Sequence, residues 1–241
     1  MPDLNAALLM AATIGDLAAC ERLLNEGADP GANKCNAMRW AASHGHTSTV
    51  GLLIRQGADV HANGDGALCE AAQGGHTQTV EVLLDCGANL HADGDSALRF
   101  AAGYGHTNTV RLLLARGADV RAWNDRALSF SAEKGQSLSV RLLIDAGADV
   151  HAGDDAALWA AANNKHSETV AIIVQHGDYN AFALTQLRQI AVNENWGAIV
   201  AIVDSYRQML SLTESASDAT QLSAGIAAPT AINSARLTPC L

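Results

Sequence analysis

Nine histidines are the first residues to weigh, because imidazole suits both metal ligation and proton transfer near neutral pH. Four of them, His46, His76, His106 and His166, recur at thirty residues or a multiple of thirty. His61, His91 and His151 form a second such series, and His44 and His176 fall on neither. Zinc needs three or four ligands converging at about 2.0–2.3 Å. A series that advances one histidine per thirty residues spreads its members apart, so a structural role is the better reading of both series. Acidic pairs such as Asp154-Asp155 suggest general acid–base chemistry by type. Yet Asp recurs at the same two points of the period, where helix caps and turns account for it. The five cysteines, Cys20, Cys35, Cys69, Cys86 and Cys240, are odd in number, form no CxxC pair and read as reduced thiols. No glycine-rich phosphate loop, GxSxG elbow or HExxH helix is present.

What distributes these residues is a repeat. The stretch Asp95 to Ala122, DSALRFAAGYGHTNTVRLLLARGADVRA, nearly reproduces itself thirty residues earlier from Asp65 and again from Cys35. It returns thirty residues later from Asp125 and once more from Asp155. A fixed period in this range signals a solenoid. Each unit reads as two short antiparallel helices. The first follows an Asp (Asp65, Asp95, Asp125, Asp155) expected to cap it, carries Leu68, Leu98, Leu128 or Leu158 and then an Ala pair, and ends at Gly45, Gly75, Gly105 or Gly135. The second carries the larger apolar load, such as Val110, Leu112, Leu113 and Leu114, and ends at Gly57, Gly87, Gly117, Gly147 or Gly177. Lys165 and Asn195 stand where the first helix of their repeats should end on glycine.

The order A-L-x-x-A-A-x-x-G-H-x-x-x-V-x-L-L-L-x-x-G-A-D-V-x-A resembles the ankyrin repeat, which is normally about 33 residues long. The resemblance covers roughly residues 4 to 212. It departs in two ways: T-P-L-H is replaced by sequences such as Ser96-Ala97-Leu98-Arg99, and about three residues are missing before each first helix, where ankyrin β-hairpin fingers project. Similar abbreviated repeats occur in ankyrin proteins of giant amoebal viruses and some bacteria. The resemblance implies an all-α, ankyrin-type helical repeat solenoid of seven repeats, in which the G-H histidine bonds the backbone of a neighbouring turn. The expected divisions are an N-terminal capping repeat over 1–30, five internal repeats over 31–182, a C-terminal capping repeat over 183–212 and a flexible tail over 213–241. Cys240 is second from the end, so the tail carries no prenylation box.

Composition narrows the function. With 25 acidic and 15 basic residues, of which three are Lys, the formal charge is −10, which opposes a nucleic-acid footprint. The start MPDLNAALLMAA has no basic region of a signal peptide, and no apolar run reaches membrane-span length. A monomeric cytoplasmic protein that needs no cofactor or metal is expected, reaching a host cell if its source is a virus or pathogen.

Positions held by packing repeat, whereas positions facing a partner are free to differ. The resemblance implies a concave binding surface that takes in Met10, Thr13, Ile14, Trp40, Ser43, His44, Phe100, Tyr104, Trp123, Asn124, Phe130, Lys134, Trp159 and Asn163. Of the four Trp, three Tyr and three Phe in the chain, six fall on this surface. Aromatic residues bury much area at low entropic cost and are enriched at binding hot spots. Trp40, Phe100 and Phe130 share one column and read equally as packing residues. The expected function is non-catalytic binding of a partner protein on the concave face. The alternative is a small-molecule or enzymatic role in a closed aromatic pocket around Trp40, Phe100 and Phe130.

Overall fold

The computed structural model describes residues 3–225. Among them fourteen helices follow one another without a strand. They are α1 (Leu4–Ile14), α2 (Leu17–Asn25), α3 (Ala32–Ser43), α4 (Thr47–Arg55), α5 (Ala62–Gln73), α6 (Thr77–Asp85) and α7 (Ser96–Gly103). The remainder are α8 (Thr107–Ala115), α9 (Ala122–Glu133), α10 (Ser137–Asp145), α11 (Ala152–Asn163), α12 (Ser167–His176), α13 (Ala181–Asn193) and α14 (Gly197–Gly225). Odd-numbered helices from α1 to α11 pack successively as one layer, even-numbered helices from α2 to α14 as a second, and each pair packs internally.

The core runs between the layers as columns of like residues. Met38, Leu68, Leu98, Leu128 and Leu158 line one column, and Leu53, Leu83, Leu113, Leu143 and Ile173 another, all buried. Ala41, Ala71, Ala101 and Ala161 are fully buried, and their small side chains let successive helices close together. Cys20 occupies the Val column of α4, α6, α8, α10 and α12 and is equally buried, which gives this thiol a packing role. Buried Thr79 and Thr109 join their hydroxyls to Thr47 and Thr77 at 2.7 and 2.8 Å, tying neighbouring even-numbered helices together.

The connections are where the abbreviated repeat differs most from expectation. Just inside the starts of α3, α5, α9 and α11, and just before α7, stand three consecutive left-handed residues. These are Asn33-Lys34-Cys35, Asn63-Gly64-Asp65, Asp93-Gly94-Asp95, Trp123-Asn124-Asp125 and Gly153-Asp154-Asp155, with φ between 47 and 62°. This conformation costs a side-chain-bearing residue roughly 1–2 kcal/mol and is tolerated best by Gly, Asn and Asp, which fill most of these positions. The triplet does the work of a finger in fewer residues.

It also corrects the expected capping. Because Asp65, Asp95 and Asp125 are left-handed, their carboxylates turn away from their own helices and accept no first-turn amide. They accept instead the backbone N–H of Asn89, Asp119 and Asp149 in the outgoing turn of the same repeat, at 2.7, 2.9 and 2.8 Å. Asn5 takes the Asp29 N–H in the same way at 2.8 Å, and the Cys35 sulfur takes that of Asp59. Ordinary capping survives only where the backbone is not left-handed, at Asp3, Asp16 and Asn180.

The regular scheme ends at the last repeat. Asp155 bonds His151 at 2.7 Å, no left-handed triplet precedes α13, and α13 starts at Ala181 rather than at 183. Its buried residues are accordingly Leu184, Leu187 and Ala191. Helix α14 passes Leu212, the expected end of the last repeat, and continues to Gly225, so residues 213–225 are helical; positions 226–241 of the expected flexible tail lie outside the described residues. Lys165 and Asn195 are left-handed at φ 62 and 57°, as their places in the glycine series require.

Two stability tests follow. Leu113→Ala, at a fully buried site, is expected to cost about 2–5 kcal/mol, and Lys165→Gly to stabilise by about 1 kcal/mol, in denaturant melts. Asp125→Ala should cost about 1–3 kcal/mol by stranding the Asp149 N–H, whereas Asp125→Asn keeps an acceptor. Burial pushes the Asp125 carboxyl above its ordinary value, so the folded protein holds that proton more tightly than the unfolded chain does. Wild type should therefore gain stability relative to Asp125→Asn as pH falls through the carboxylate range; melts showing the opposite trend would count against the buried placement.

Candidate functional site

The histidines prove to be connectors. His46, His76, His106 and His166 place Nε2 at 3.0, 2.9, 2.8 and 3.0 Å from the carbonyls of Thr13, Ser43, Gln73 and Glu133 in the preceding repeats. A carbonyl only accepts, so Nε2 carries the proton in each. Gln136 fills this column in the fifth repeat with its carboxamide against Gly105, and buried Trp196 fills it in the last. The second series, His61, His91 and His151, pairs Nδ1 with Asp65, Asp95 and Asp155 at 3.0, 3.1 and 2.7 Å. His176 and His44 bond their own helices at the carbonyls of Ile172 and Trp40. Among the described residues no three His, Cys, Asp or Glu side chains gather as metal ligands would. Burial pushes the Cys20 thiol up to about 11 and those of Cys35 and Cys69 upward, which disfavours the thiolate a nucleophile requires.

The aromatic residues have a different character. Trp40 on α3, Tyr104 at the end of α7 and Trp123 in the left-handed start of α9 are 47, 46 and 62% exposed. Phe100, Phe130 and Trp159 are half-buried, so these side chains serve packing and surface at once; His44, Asn124, Lys134 and Asn163 are exposed. Two clusters form. Arg99 lies over the Phe100 ring at 4.8 Å and the Trp123 ring at 5.7 Å and bonds Asp93 at 3.3 Å. The Trp123 indole rests where a side chain at Gly94 would be. In the second cluster Tyr104 meets Phe130 edge-on at 5.9 Å, and the Lys134 ammonium stands 5.5 Å from the Phe130 ring. His44 belongs to neither cluster: it stacks beside His46 on α3, with α5 and α7 between it and Lys134 on α9.

At the N-terminal end Met10 and Ile14, 72 and 73% exposed, join Trp40 in an apolar shelf. An open groove of about 680 Å³ runs over α5, lined by Arg39, Asp65, Glu70, Asp93 and Phe100 among others. The expected closed pocket around Trp40, Phe100 and Phe130 is therefore absent among the described residues: a side chain from every odd helix would be needed to close it, and α5 presents Glu70 and Gly74 instead. Sequence reasoning passed over Arg39, Glu70 and Arg99. Their signal was charge in columns that elsewhere hold Leu9, Phe130 or Trp159.

A two-layer stack of helix pairs tied joint to joint defines a helical repeat solenoid. The ankyrin-repeat family model, three copies of the repeat at a time, matches residues 8–93, 40–124 and 86–154, and the chain belongs to that family. Its structure is similar to the human ASB11 ankyrin repeat domain, with 26% identity, a TM-score of 0.66, and coverage of 73% of this chain and 89% of that one. No curated protein matches the sequence. Ankyrin repeats are in general protein–protein interaction modules. No helix among the described residues is long and apolar enough to cross a membrane.

The histidine series can be tested through glycine. A Cβ on Gly75, at φ 71°, would lie 2.3 Å from His106 Nδ1, whereas one on Gly117, at φ 92°, would meet nothing within 4 Å. Gly117→Ala should cost about 1 kcal/mol of backbone strain and Gly75→Ala at least about 2 kcal/mol. Combining Gly75→Ala with His106→Ala should cost less than the two single losses summed, in thermal melts analysed as a double-mutant cycle.

Proposed function

We propose that the protein is a non-catalytic binding module whose odd-helix face engages a partner protein. The observation that carries this reading is Trp123. It is a bulky residue in a left-handed position that Asn33 and Asn63 fill elsewhere, it is 62% exposed, and it is held in place by Arg99 and Gly94. Burial gives no return for strain of about 1–2 kcal/mol at such a site, and an exposed aromatic anchor is what protein interfaces use. Tyr104, Trp40, Met10 and Ile14 extend the same character along the odd-numbered layer. Binding rather than catalysis also fits the use of the histidines in backbone contacts and of the buried thiols in packing.

The test is photo-crosslinking from p-benzoylphenylalanine at positions 104, 123 and, on the exposed side of α10, 141. Discrete cross-linked species from 104 and 123 but not from 141 are expected. Trp123→Asn should weaken binding of the captured protein by about tenfold with an unchanged melting temperature, since Asn suits the left-handed backbone. Cross-links from 141 alone would move the interface to the even-numbered layer.

A further inference from the structure

We propose that the groove over α5 docks a partner segment carrying an arginine or lysine beside a bulky apolar residue. This deepens the reading just given and rests on it. At the places where α3 presents Trp40 and His44, and α7 presents Phe100 and Tyr104, α5 presents Glu70 and Gly74. Gly64 and Gly66 leave the beginning of α5 low as well. The outcome is a trough bounded by Arg39 on the α3 side and by the Phe100 ring on the α7 side. Packed helices lie about 8–10 Å apart, so walls two helices apart leave room for one extended chain or one slender helix.

Charge selects the occupant. Three carboxylates, Asp65, Glu70 and Asp93, line the groove against one guanidinium, Arg39. Asp65 is committed to Asn89 and His61. Glu70 and Asp93 are not: each meets a single guanidinium nitrogen at 3.3 Å through one oxygen, from Arg39 and Arg99 respectively. Among the described residues the second oxygen of each carboxylate has no hydrogen-bond partner. Two carboxylates with spare acceptor capacity, in a chain of net charge −10, favour a cationic side chain, and a guanidinium can donate to both. Phe100 then offers a face within the groove, and Trp40 offers another just outside it beside Arg39 and Glu70, to the cation's stem and to an apolar neighbour. An acidic segment would meet like charge.

The experiment selects peptides from a random library displayed on phage against the full 241-residue chain. Selected peptides are titrated by fluorescence polarisation against wild type, the double variant Glu70→Gln/Asp93→Asn, and Trp123→Asn, at low and high salt. The substituted carboxylates sit at the rim and are not part of the core, and melting curves check that each variant is folded. Peptides enriched in Arg or Lys next to an apolar residue are expected, with about tenfold weaker binding to the double variant and loss of affinity at high salt. Selected peptides without a basic residue, or basic ones that bind the double variant unchanged, overturn the proposal. If those peptides still weaken on Trp123→Asn, binding on the odd-helix face stands and only the basic segment falls. If no peptide is selected, or none responds to either substitution, both readings fall together.

Discussion

One hydrogen bond carries the architecture: a side-chain acceptor at the start of each repeat takes a backbone N–H of the turn that leaves the same repeat for the next. Asp65, Asp95 and Asp125 each reach 24 residues ahead to do this, as Asn5 does in the first repeat. A single helix pair cannot bury both of its faces, so its stability has to come from its neighbours. Apolar burial supplies most of that energy but little direction. The acceptor supplies direction, since the N–H can be satisfied only with the next turn in one position. The left-handed triplets are the cost of aiming it, and the G-H histidines add the tie from each repeat back to the one before.

Much of this was legible in the residues and some was not. The thirty-residue period, the Leu and Val columns, the glycine endings and the distributed histidines all follow from patterns that one residue type enforces at one place. The acceptor role of Asp65 was not legible, because Asp before a helix is an ordinary cap and only the handedness of Asp65 sends its carboxylate elsewhere. Cys35 shows the same limit. By type it reads as a reduced thiol, yet it serves the acceptor column through sulfur. The last repeat was expected from 183, yet α13 starts at Ala181, because four residues separate it from α12 where six separate α10 from α11, and fixed spacing does not show a shortened connection.

The candidate site was partly legible. Non-repeating positions pointed to Tyr104 and Trp123 as surface residues, whereas Trp40 read equally as a packing residue; all three are exposed. Which aromatics meet one another depends on contacts between repeats, where Arg99 gathers Phe100 and Trp123 and Phe130 gathers Tyr104 and Lys134. The trough over α5 is defined by what is missing there, and a Gly or Glu among aromatics registers poorly as a signal in sequence.

The reach of the joint bond has a consequence for how such a chain changes length. Donor and acceptor are 24 residues apart, less than one period, and the acceptor column accepts Asn, Cys and Asp alike. Any thirty-residue block excised or copied between two equivalent points therefore leaves every acceptor facing an amide of the usual kind. Gene duplication or unequal recombination can lengthen or shorten this solenoid by whole units with no orphaned group at the seam. The interior units are interchangeable parts, and the ends alone are fixed in place.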